Sequence, residues 1–174
     1  MRIKPNRGGM LVPLAAWGTQ KADYPSRYIT AAAMMLAGAD SARQAGDLIR
    51  QVWHNAIYQL ADPRTDSYTR EGGPAGAFLE DFGQALNKLF TGQGFRSQLS
   101  RIEENQALVS GLMEELDLPP DGEDGHQALY DLYDIYRSLT GLVTKPSGNL
   151  ETFSNSLHSL CADFSGKYDT LRLS

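Results

Sequence analysis

Between Ser41 and Ala61 the apolar residues are Ala45, Leu48, Ile49, Val52, Trp53, Ala56, Ile57 and Leu60. Counted from Ala45 they fall at i, i+3, i+4, i+7, i+8, i+11, i+12 and i+15, the series that lines one face of an α-helix. Arg43, Gln44, Asp47, Arg50, Gln51, Asn55 and Gln59 occupy the opposite face. Ser41 with Gln44 three residues later has the form of a capping box, and Asp62-Pro63 supplies a stop. Burying the large members of the stripe is worth roughly 1.5–3 kcal/mol each before chain entropy is subtracted. Any fold of this chain therefore has to bring further apolar surface against this helix.

The rest of the chain is long enough to do so. Its 174 residues, 41% hydrophobic and 21% charged, suit one domain with a sizeable core. The net charge of −5 works against a protein held mainly by phosphates. Cys161 is the single cysteine, so there is no internal disulfide and no cysteine-based zinc cage, and a reducing, cytoplasmic compartment is expected. No apolar run approaches the ~18–20 residues of a membrane span. Met10 to Trp17 follows Arg2, Lys4 and Arg7 in the order of a secretory leader, but it is short, holds Pro13 and has no convincing cleavage site.

Residues 1–24 read as an irregular N-terminal arm. Pro5, Gly8, Gly9, Pro13 and Gly18 oppose a long helix, yet Leu11, Val12, Leu14 and Trp17 are costly to leave in water. The arm has to dock either on its own bundle or on another chain. From Pro25-Ser26 a first helix carries Tyr28, Ile29, Ala32, Met35 and Leu36 to a stop at Gly38, and a turn at Gly38–Asp40 pairs it with the Ser41–Ala61 helix as a hairpin. From Asp62 to Gly76 the periodicity vanishes, in a loop where Arg64, Tyr68 and Arg70 are candidates for partner contact.

A third helix, from about Pro74 to Thr91, buries Phe78, Leu79, Phe82, Ala85, Leu86, Leu89 and Phe90. A fourth carries Phe95, Leu99, Ile102, Gln106, Val109, Met113 and Leu116, a coiled-coil-like seam whose one amide either sets register or lies at the rim. After the acidic turn Asp117–Gly125, a fifth helix presents Ala128, Leu129, Leu132, Tyr133, Tyr136, Leu139 and Val143, with Ile135 and Leu142 spreading its apolar surface wider and Tyr130, Tyr133 and Tyr136 at every third position. Those tyrosines suit an apolar face with a polar rim or a protein-binding surface. Lys145–Gly148 breaks the chain, Asn149 can cap the last helix, and Leu150, Phe153, Leu157, Leu160, Phe164, Tyr168 and Leu171 complete the pattern.

The fold expected is all-α, an antiparallel bundle of five or six helices spanning residues 25–174 as one domain. Chemistry is harder to find. There is no phosphate-binding glycine loop, no HExxH pair and no G-x-S-x-G elbow. His158 and Cys161 share a helix face but need further ligands from His54, His126 or a carboxylate, so a buried thiol is the better reading than a metal site. The acidic turn lacks the spacing of a calcium loop. No catalytic residue, cofactor or metal is assigned.

The function expected is a non-enzymatic interaction or assembly subunit. Its contacts would come from Arg2, Lys4, Arg7, Leu11, Val12 and Trp17 of the arm, from Arg64, Tyr68 and Arg70 of the loop, and from Tyr130. The partner would be a protein or a second copy. Two other readings stand beside it: a small enzyme whose site gathers the scattered His, Cys and carboxylate residues, and a nucleic-acid-associated subunit using the basic arm.

Overall fold

The computed structural model describes residues 14–117 and 125–173, with side chains over 23–117 and 125–172. Among the described residues six helices appear, in the order α1 (Leu14–Tyr58), α2 (Asp66–Thr69), α3 (Phe82–Thr91), α4 (Gln93–Glu115), α5 (His126–Thr144) and α6 (Leu150–Leu173). An isolated bridge between Arg70 and Phe78 is the only β pairing among the described residues. The all-α bundle read from the periodicity is the fold found.

Four long helices form it, and cross-contacts give their directions. Arg27 pairs with Glu115 at 3.1 Å and Asn105 donates to the Met34 carbonyl at 3.2 Å, so α4 runs antiparallel to α1. Tyr24 reaches His126 at 2.9 Å, whereas Gly38 lies beside Tyr136 and Gly46 beside Val143, so α5 runs parallel to α1. Gly46 also meets Leu157, and Trp53 meets Phe153 at 6.0 Å between rings, so α6 returns antiparallel. Neighbours around the ring alternate in direction. Across it, α1 touches α5 while α4 and α6 do not meet. The bundle is thus flattened along one diagonal, with α1 and α5 at its centre.

Small side chains on α1 permit that approach. Ala31, Ala32, Gly38, Ala39, Ala42, Ala45 and Gly46 are all buried, interspersed with Met35, Ile49 and Val52. A Cβ at Gly38 would collide with the Asn105 amide and stand 2.8 Å from the Tyr136 ring; one at Gly46 would stand 2.5 Å from Leu157 and 3.2 Å from Val143. Tyr136 is fully buried and donates its hydroxyl to Asn105 at 2.6 Å, while Gln106 donates to the buried Thr140 at 2.7 Å. The one amide of the α4 seam therefore joins α4 to α5 and is not idle at the rim. Asn149 caps α6 as expected, accepting from the Thr152 amide at 2.8 Å.

The hairpin expected between residues 25–38 and 41–61 does not form. Both stretches belong to the single 45-residue α1, about 67 Å long at the usual rise. Gly38 is where two side chains cross the helix, and not where the helix stops. Ser41 sits mid-helix and donates to the Ala37 carbonyl at 3.0 Å, so it is no N-cap. The helix also begins earlier than Pro25, so residues 14–24 of the expected irregular arm are helical, and residues 1–13 lie outside the described residues. Pro25 forfeits one backbone hydrogen bond inside the helix. Tyr24 and Tyr28, anchored on His126 and on the Gly125 carbonyl (3.1 Å), hold that turn against the start of α5. The third helix starts at Phe82 instead of Pro74, where Asp81 accepts from the Gly83 amide at 2.8 Å.

Glycine to alanine usually stabilises a helix by up to ~1 kcal/mol. At Gly38 the added methyl has no room, and overpacking of this kind costs about 1–3 kcal/mol. Urea unfolding should therefore show Gly38→Ala destabilised by roughly 1–2 kcal/mol. Gly111→Ala, facing open space on α4, should be stabilised. Equal gains at both positions would contradict the close α1–α5 crossing.

Candidate functional site

Chain entry to the site is set by how α1 ends. Gln59 takes a left-handed conformation (φ 51°), and the Leu60 amide returns to the Asn55 carbonyl at 3.0 Å, closing the helix at Tyr58. The stripe that ran along α1 consequently leaves the bundle here. Ile57 and Leu60, expected in the core, are 42% and 45% exposed, and Phe82, expected likewise, is 43% exposed. Tyr58 beside them is 62% exposed and lies against the His54 ring at 4.7 Å. Phe82 stacks at 6.1 Å on Trp53, one turn before Ile57, and Trp53 in turn meets Phe153. Ile57 and Phe82 thus both adjoin Trp53, which anchors them on the core.

The segment 59–81 that follows α1 is a tied structure, unlike the open loop its composition suggests. Asn55 donates to Thr65 at 3.0 Å. Asp66 accepts from the Asp62 amide at 3.1 Å and from Arg70 Nε at 3.0 Å. Arg70 also donates to the Gly76 carbonyl at 3.0 Å and lays its guanidinium 4.0 Å above the Phe78 ring. Lys88 Nζ donates to the Arg70 carbonyl at 2.6 Å, and Leu79 N to the Thr69 carbonyl at 2.9 Å. Gly72 and Gly73, at φ 64° and 124°, make the reversal that returns the chain to Phe78.

The loop candidates differ in their surroundings. Arg70 is bonded within the segment; Tyr68 is half-buried against the core; Arg64 alone of the three is exposed. Tyr130 is likewise engaged at home, donating to Asp117 at 3.1 Å and to the Met113 carbonyl at 3.3 Å, and burial pushes its hydroxyl pKa up. Arg2, Lys4, Arg7, Leu11 and Val12 lie outside the described residues, as does the side chain of Trp17. Most of the acidic turn lies outside them too.

The segment that carries the exposed apolar residues is net acidic. Residues 57–82 carry Arg64 and Arg70 against Asp62, Asp66, Glu71, Glu80 and Asp81, a net charge of −3. Arg70 is already neutralised by Asp66. Glu80 and Asp81 are exposed directly before Phe82, and exposed Glu151 stands two residues before Phe153.

The three histidines and Cys161 do not gather in one place. His126 meets Tyr24, while His54 sits thirty residues further along the same helix, about 45 Å away at the helical rise. His158 and Cys161 do share a groove of about 410 Å3 with Arg43, Asp47, Arg50 and Ser154. The Cys161 thiol there is shifted up, first by burial and then by Asp47, against a smaller opposing effect of Arg43, so it is not an activated thiolate. No group of three or more His, Cys, Asp or Glu suited to a metal occurs among the described residues. Sequence reasoning missed these residues because it placed Ile57, Leu60 and Phe82 inside. Comparison with known proteins finds no matching family, no similar curated protein and no matching solved structure.

The Asp66–Arg70 pair gives a pH test of the segment. The Arg70 hydrogen bond holds the Asp66 carboxyl below the ordinary aspartate range. An unfolded aspartate titrates near ~3.9, so the pair stabilises the segment above that pH and is lost as pH falls through the lower folded value. Carboxyl NMR titration should show the depressed pKa. Asp66→Asn should loosen the segment at neutral pH and speed tryptic cleavage after Arg70 several-fold. Cleavage at the unaltered rate would show that the pair does not hold it.

Proposed function

We propose that this chain is a non-enzymatic helical interaction or assembly subunit, docking on a protein through the face formed by Ile57, Leu60 and Phe82. The supporting observation is the departure of the core stripe into solvent at the end of α1. Three large side chains left nearly half exposed forgo roughly 1 kcal/mol of burial each. A partner docking there would recover that burial on contact.

Rigidity beneath the face supports the same reading. The Asp62–Arg70–Phe78 knot and the Trp53 stack hold Phe82 and the α1 end in one geometry, which lowers the entropy lost on binding. The acidic flank works against nucleic acid at this face. No helix among the described residues is long and apolar enough to cross a membrane, and the lone cysteine suits a reducing, cytoplasmic setting.

A photo-crosslinking residue at Leu60, introduced into the full chain in cells, should give a discrete adduct. The same residue at Ser165, exposed on α6, should give none. Absence of any adduct at Leu60 would remove this reading.

A further inference from the structure

The inference that follows rests on the docking face just described and concerns what occupies it. We propose that the occupant is the segment 1–13 of a second copy of this chain. That segment has the chemistry the face asks for: Arg2, Lys4 and Arg7, then Met10, Leu11 and Val12. The cations complement the acidic flank of Glu80, Asp81 and Glu151, and the apolar residues complement Ile57, Leu60 and Phe82.

Reach makes the contact intermolecular. Val12 and Leu11 precede the start of α1 by two and three residues, which places them within ~10 Å of Leu14 however the backbone runs. Trp53, on which the face is built, lies 39 residues into α1, about 58 Å from Leu14. Even Arg2, twelve residues before Leu14, spans at most ~42 Å. A chain's own segment therefore cannot cover its own face. Two copies with their α1 helices antiparallel bring the start of each helix to the end of the other, and reciprocal exchange closes a two-fold pair.

The test uses full-length chains. Light scattering of the unaltered protein over a concentration series should show a monomer–dimer equilibrium. Leu60→Asp, at a 45% exposed position, and the double variant Leu11→Asp/Val12→Asp should each weaken dimerisation at least tenfold while circular dichroism stays unchanged. Mixing the two variants should restore pairing, because one supplies an intact face and the other an intact segment; native mass spectrometry would read the mixed dimer. A monomer at every concentration, undiminished pairing in either variant, or no mixed dimer would overturn the inference. With a monomeric protein, a Leu60 crosslink to a chain of different mass would remove the second copy and leave the docking face standing. A monomer without any crosslink would remove both.

Discussion

The bundle depends on the close crossing of α1 and α5. Parallel helices across the diagonal of a four-helix ring ordinarily stand apart, with large side chains from all four filling the space between. Here Gly38 and Gly46 let Tyr136, Val143 and Leu157 lie directly on the α1 backbone. Tyr136 can be fully buried at that crossing only because Asn105 accepts its hydroxyl, and Asn105 is held in turn by its own donation to the Met34 carbonyl. Burial pushes the Tyr136 hydroxyl pKa well up, so it stays a neutral donor. Three helices are thus registered by one polar relay over one glycine, and a buried network of this kind favours a single register over sliding alternatives.

From that register the position of the α1 end follows. With α1 seated along α4, α5 and α6, its last turn overhangs the start of α6, where Trp53 meets Phe153. The left-handed residue Gln59 then turns the chain away, and Ile57 and Leu60 on either side of it stay partly exposed. The returning segment then brings Phe82 back onto Trp53 but covers it only in part. An exposed apolar face and a rigid base for it arise from the same termination.

Polar residues that looked available in the sequence are largely spent on this construction. Arg70 bridges Asp66 and Gly76 over Phe78, and Tyr130 closes the α4–α5 junction on Asp117 and Met113. A sequence marks such groups as polar and therefore as candidates. It does not show that each has a partner within a few ångströms, because those partners come from turns and carbonyls whose positions only the folded chain defines.

Periodicity determined the helical class and the faces of α4, α5 and α6, and residue type determined the cap at Asn149, since each depends on groups within a few residues along the chain. The joining of residues 25–38 and 41–58 into one helix was decided by tertiary structure. A glycine reads locally as a stop, and its opposite role at Gly38 exists only because Asn105 and Tyr136 arrive from other helices. The exposure of Ile57, Leu60 and Phe82 was decided in the same way. Helical spacing shows which residues share a face, and only the placement of the neighbouring helices settles how far along that face the cover extends.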